Sequence, residues 1–429
     1  MSAAFFWIFV ALMALGMPVA FALLAGPALS LLLDGQGAYF PALLARFYNG
    51  LDSFPLLAVP LFILAGELMN QGGITKSIVR FSLTLVGHVR GGLAQVSILS
   101  SMLFAGISGS AVAGASAIGK NLIPAMEQAG YRRDFAAGVL AAAAILGPII
   151  PPSGIMVLYG FVMNVSIGAL FAGGIVPGLL MGLGLMTATR LLANRNGLPP
   201  ASTRASWRER GEALRGAGWA LLMPVILLGG VLSGVFTATE AAAVAAIYAL
   251  IVATFVLRTL DLRGLRTVFV NTAVQSGVIL TLVGAAVTLG WLVSVSGVAE
   301  QAAGGLREVA ENPLVLLFVV NLLLFVVGMF LDAGPAILIL APVLAPIFTD
   351  LGVHPVHFAM IMCINLTIGL ATPPMGLVLF VTSSVAGERV GAIVRTILPF
   401  LAVEIGVLFL LTFFPELVLW LPRTLGLIQ

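Results

Sequence analysis

Long apolar runs separated by short polar punctuation occupy almost the whole of this 429-residue chain. At about 20 residues per bilayer crossing, they predict roughly ten to fourteen membrane segments and leave no soluble domain of useful size. The first run, Ala3 to Leu33, has no basic residue ahead of it and is longer than the roughly 7 to 15 apolar residues of a secretory leader. It reads as a retained spanning helix. Two basic stretches then set an orientation. Arg190, Arg195, Arg204, Arg208, Arg210 and Arg215 stand against only Glu209 and Glu212, with Pro199 and Pro200 as helix breakers. Arg258, Arg263 and Arg266 follow after one outward and return passage, so both stretches are expected at the cytoplasmic face.

The pattern also repeats. Shifting the chain by 222 positions places Gly106 on Gly328, Ser110 on Asp332, Pro124 on Pro346, Gly147 on Gly369, and Pro151 and Pro152 on Pro373 and Pro374. This predicts a first repeat over 1–196, a basic linker over 197–216 and a second repeat over 217–429. Each repeat holds two interruptions. One is an apolar stretch with a polar tip: 92–126, broken at Ser108, Gly109 and Ser110, and 314–348, broken at Asp332 to Pro335. An arm of about 16 helical residues rises only about 24 Å, short of a hydrocarbon core of about 30 Å, so a re-entrant helical hairpin is expected. The other is a proline pair inside an apolar segment, over 135–161 and 358–385.

Paired prolines remove donors and force the preceding residues out of helix, freeing carbonyl oxygens at membrane depth. Such backbone survives only where protein buries it or a watery cavity borders it. Freed carbonyls and hydroxyls suit an alkali cation, and half-helix N-termini suit an anion. A plain kink is the competing reading; the pairing of each break with a polar tip favours a site. Asp332 is expected to serve an ion, a proton or a partner charge. Glu240 is either functional or a helix-start acid behind Thr237 or Thr239. Glu67, Lys120 and Glu127 read as snorkelling side chains near segment ends, and Arg132, Arg133 and Asp134 as a solvated turn.

Composition agrees with a lipid solvent: 60% of residues are hydrophobic and 9% charged, against about 25% charged in soluble domains. The net charge of +3 comes from 18 Arg and 2 Lys and is too dilute for a nucleic-acid partner. Cys363 stands alone in an apolar run and reads as a small buried residue. His88, His354 and His357 lack metal-ligand spacing, so no transition metal is expected. No H-E-x-x-H, G-x-S-x-G or Walker motif occurs; no catalytic residues and no enzymatic activity are expected, and uphill transport must draw on an ion gradient or a separate motor.

The strings Phe54-Pro-Leu-Leu-Ala-Val-Pro-Leu-Phe, Ser108-Gly-Ser-Ala-Val-Ala, Gly147-Pro-Ile-Ile-Pro-Pro-Ser, Phe236-Thr-Ala-Thr-Glu-Ala and Gly369-Leu-Ala-Thr-Pro-Pro-Met-Gly stand in this order. Together they closely resemble the large (DctM-like) membrane subunit of TRAP transporters, the tripartite ATP-independent periplasmic family. The resemblance runs from near residue 10 to near residue 420. It implies an all-α polytopic membrane fold with two inverted repeats, working as an elevator in a bacterial or archaeal inner membrane. It further implies sodium-coupled uptake of an organic acid, such as a C4-dicarboxylate, sialic acid or another sugar acid. The implied partners are a periplasmic solute-binding protein and a small four-helix membrane subunit. By position, Ser108 and Ser110 would join Gly147, Ile149, Pro151 and Ser153 around one sodium site, and Asp332 would join Gly369, Thr372 and Pro373 around another. Two departures stand out: the family often has Asp where this chain has Gly114, and Pro where it has Ala238. A stand-alone ion-coupled anion carrier without a binding protein is the rival reading.

Overall fold

A computed structural model describes residues 4–196, 198, 200, 202–297 and 312–429. Pro199 and the side chain of Arg195 lie outside the described residues, as does the segment 298–311. Among the described residues the regular elements are helical, and a single bridge joins Arg90 to Pro200. Among the described residues nine helices are long and apolar enough to cross a membrane, and five shorter apolar helices of 10–17 residues accompany them.

The first apolar run does not form one spanning helix. It folds as Ala4–Ala14 and Val19–Leu33, packed together. Gly16 at φ 87° and Pro18 ahead of the second helix turn the chain. The basic linker is also shorter than its composition suggests. The helix Ile167–Asn196 carries Arg190 and Arg195, and the helix Trp207–Leu232 carries Arg208, Arg210 and Arg215. Its start is fixed by a capping box, in which Ser206 accepts from the Glu209 N–H and the Glu209 carboxylate accepts from the Ser206 N–H. Arg132 and Arg133 pair with Asp134 and Glu127 at the surface, as a solvated turn should.

Two packing groups meet across the centre of the molecule. In the first, Ala58–Gln71 packs on Ala238–Ile251 and on the 35-residue helix Leu262–Ser296. Ala241, Ala242, Ala245, Ala246 and Ala249 form the buried face of the second of these, and small side chains let helix backbones approach where no hydrophobic effect draws them together. The second group holds the interrupted elements. Gly92–Ser108 and Ala111–Gln128 form one helical pair, and Pro313–Phe330 and Ala333–Asp350 another. The broken segments run Arg133–Ala144, Leu146–Ile149, Gly154–Met163, and Pro355–Gly369, Leu377–Ala386. Outward faces are apolar: Phe318, Leu322 and Val326 are exposed on a helix whose opposite face, Leu317, Val320, Asn321 and Leu324, is buried. That polarity is what hydrocarbon demands.

Candidate functional site

Both hairpin tips are built by local capping. Gly109 takes φ 58°, ending the first arm, and Ser110 caps the second by accepting from the Ala113 N–H at 3.3 Å. Ser108 accepts from the Ser110 N–H at 3.4 Å. In the second hairpin Asp332 is the cap, its Oδ1 accepting from the Ala333 N–H at 2.8 Å. Ala333, Gly334 and Pro335 therefore belong to the first helical turn after the tip.

The breaks form where the proline pairs predict. Ile150 to Ser153 and Leu370 to Gly376 are non-helical, and Pro151–Pro152 and Pro373–Pro374 are both cis. Glycines seat the tips on the breaks. A Cβ at Gly109 would lie 2.9 Å from the Pro152 carbonyl oxygen, and one at Gly147 would lie 3.0 Å from that of Ser110. Gly369 presses on the backbone of Gly328, in the first arm of the second hairpin, so closely that no side chain fits. A buried amide network holds that arm too: Asn365 Nδ2 donates to Asn321 Oδ1 at 2.6 Å, and Asn321 Nδ2 donates to Thr412 Oγ1 at 3.0 Å.

Between the two packing groups lies a cavity of about 660 Å³, within the usual size of a small-molecule site. Ser108, Ser110 and Asp332 line it together with Pro148, Pro152 and Gly154 of the first break. Gly147, Ile149, Pro151 and Ser153 stand behind that wall, buried. Ser153 Oγ is enclosed with no hydrogen-bond partner among the described residues, which is uncommon for a buried hydroxyl. The second break contributes Leu370 and Leu377 to the lining, but Gly369, Thr372 and Pro373 are set back. Thr372 Oγ1 donates to the Ile368 carbonyl at 2.9 Å.

Helix starts converge on this space. The lining includes Ala111 and Val112, Gly154 and Ile155, Ala333 and Gly334, and Leu377, the opening residues of four helices. Each N-terminus carries about half a positive charge, although capping already takes the Ala113 and Ala333 N–H groups and the Leu370 carbonyl takes that of Val378. Among the described residues no Lys, Arg or His lines the cavity, while Asp332 and Glu67 put two carboxyl groups there. An anion in this space is therefore met by backbone dipoles, and the carboxylates call for cations.

Glu67, read from the sequence as a snorkelling side chain, faces this cavity with Asn70 and Gln275. Its Oε1 accepts from Gln71 Nε2 at 2.9 Å and from Asn271 Nδ2 at 3.2 Å. The sequence did hold a signal: Glu67 and Gln71, and Asn271 and Gln275, are polar pairs at helical i, i+4 spacing inside otherwise apolar helices. Glu240 instead closes a capping box with Thr237, accepting from its N–H at 2.8 Å, which decides for the structural role. Cys363 is buried, as its apolar surroundings predict.

A family model described as "Tripartite ATP-independent periplasmic transporter, DctM component" matches residues 6–417. The sialic acid TRAP transporter large permease protein SiaM of Vibrio cholerae is 42% identical over 409 residues, covering 95% of each chain. The C4-dicarboxylate TRAP transporter large permease protein DctM of Pseudomonas aeruginosa is 40% identical over 386 residues, covering 90% of each. Among solved structures, the YdaH transporter of Alcanivorax borkumensis superposes with a TM-score of 0.60 at 19% identity over 89% of each chain, a likeness of fold. This chain belongs to the DctM family, the large permease component of tripartite ATP-independent periplasmic transporters, and is a multi-pass protein of the inner membrane.

Proposed function

We propose that this permease carries an organic acid across the inner membrane by sodium symport, taking its substrate from a periplasmic binding protein and working beside a small four-helix membrane subunit. Relatives named for sialic acid and for C4-dicarboxylates share one chemistry, a carboxylate, and that is the substrate class assigned here. The observation that carries the reading is the cavity itself: four helix starts, two carboxyl groups and, among the described residues, no cationic side chain. A substrate carboxylate binds at the helix starts. Sodium ions offset Asp332 and engage the oxygens freed at the breaks, including Ser153. Ser108, Ser110, Gly147, Ile149, Pro151 and Ser153 form the first ion neighbourhood, and Asp332, Gly369, Thr372 and Pro373 the second.

In this reading the two halves are inverted repeats, 1–196 and 217–429, joined by the basic linker at the cytoplasmic face. The hairpins and broken segments move as one body against the helices 58–71 and 238–296, in the manner of an elevator. Proteoliposomes test it, containing this chain and the small subunit, with substrate-loaded binding protein outside. Uptake is expected under an inward sodium gradient and not under an equal potassium gradient. Uptake without the binding protein would establish the stand-alone carrier instead, and uptake following a proton gradient would overturn the sodium assignment.

A further inference from the structure

Away from the central cavity, a second cleft of about 340 Å³ is lined by Val89, Arg90, Arg190 and Asn194. Arg90 stands just before the first hairpin. Arg190 and Asn194, at i, i+4 spacing, share one face near the end of Ile167–Asn196. Both arginines are exposed, and neither side chain bonds to a described residue, whereas Arg132, Arg133, Arg208 and Arg423 each hold a carboxylate.

The frame around the cleft is tight. The backbone of Arg90 bridges to Pro200, and the Ser202 N–H donates to the Gly87 carbonyl at 3.2 Å. Gly91, at φ 70°, sits so near Ala193 that a Cβ would come within 2.8 Å of its side chain. Two like charges are thus held at one opening, where an anion with several oxygens relieves their repulsion and matches the planar guanidinium forks. Depth narrows the source of that anion. A 30-residue helix rises about 45 Å, so its end projects past a hydrocarbon core of about 30 Å to the level of the lipid headgroups.

We propose that this cleft is a phosphate-binding site, filled by the headgroup of an anionic phospholipid and joining the base of the first hairpin to the long helix. The test uses the full chain, delipidated in detergent, with phosphatidylglycerol, phosphatidylethanolamine and inorganic phosphate as separate probes, read by native mass spectrometry and by melting temperature. Phosphatidylglycerol is expected to be retained in preference to phosphatidylethanolamine and to raise the melting temperature. Arg90→Gln and Arg190→Gln are each expected to weaken its retention about fivefold, while Arg258→Gln, at the other basic turn, leaves it unchanged. A shift given equally by inorganic phosphate and lost in the same variants supports the phosphate site and reassigns its source to the soluble ion. Retention of phosphatidylglycerol undiminished when Arg90→Gln and Arg190→Gln are combined, or no response to either phosphate probe, overturns the proposal. Should Arg90→Gln disturb the bridge to Pro200 and fail to fold, Arg190→Gln and Asn194→Leu, both on the helix, carry the same test.

Discussion

Asp332 joins two demands that rarely fall on one side chain: it caps a helix through the Ala333 N–H, and it faces the cavity with its carboxyl group. Asparagine keeps the cap and removes the charge, so Asp332→Asn separates the two roles. The expected outcome is an unchanged melting temperature with sodium-driven uptake reduced about 10- to 100-fold, the size of a lost charge-assisted interaction. Full uptake in that variant would remove Asp332 from ion coupling. Glu404 presents the opposite case. Its carboxyl group is fully buried in the helix Val390–Phe413, and neither oxygen finds a hydrogen-bond partner among the described residues. Because an unpartnered buried polar group is a cost to folding, Glu404→Leu is expected to stabilise the purified chain by about 1–3 kcal/mol in thermal unfolding. A lower melting temperature would show that the carboxyl group is satisfied in the folded protein.

At the scale of elements, starts and stops were largely legible, because they rest on local chemistry. Ser110, Asp332, Ser206, Thr237 and Asp261 each accept from a backbone N–H at or near the start of a helix. His354 does the same for Pro355–Gly369, with Nδ1 accepting from the Val356 N–H at 3.1 Å. That role needs a neutral ring. Burial first, and the charge of Arg423 second, hold the His354 pKa below its ordinary value. With a folded pKa below the unfolded one, the stability it gives is present above the unfolded value of about 6.5 and is lost as pH falls through the folded one. Acidification from pH 7 to 5 is therefore expected to lower the melting temperature of the native chain, a loss that His354→Asn, which caps at either pH, should reduce. Equal pH dependence in both proteins would place the acid sensitivity elsewhere. By contrast, the length of the linker was not legible. Arginine is a good helix former, so a basic stretch reads equally well as loop or as the wet end of a long helix.

At the scale of the whole molecule, the cavity exists because tips and breaks from one packing group face two helices of the other. Gly66 lies directly against Ser108: a Cβ at Gly66 would be 3.4 Å from the Ser108 Cα, ordinary contact and close enough for a disulfide. If the first hairpin slides along the helix 58–71 during transport, a cystine joining positions 66 and 108 must stop it. In a chain whose Cys363 is replaced by Ala, the pair Gly66→Cys and Ser108→Cys is expected to abolish uptake under oxidation. Reductant should restore it to the level of the unoxidised pair. Uptake that persists through the cross-link would exclude movement between these two elements.

The sequence by itself determined the solvent, the helical class, both polar tips, both proline breaks and the family. Each of these rests on composition, on residue order or on bonding within a few positions of the chain. Tertiary structure alone decided which oxygens and helix starts share a space. It brought Glu67, Asn70 and Gln275 to the cavity, set Gly369, Thr372 and Pro373 behind it, and joined Asn321 to Asn365 across 44 positions. It also folded the first apolar run back on itself as two helices. The physical reason is that a side chain's position along a helix fixes the direction it points, while what lies in that direction depends on how distant helices pack.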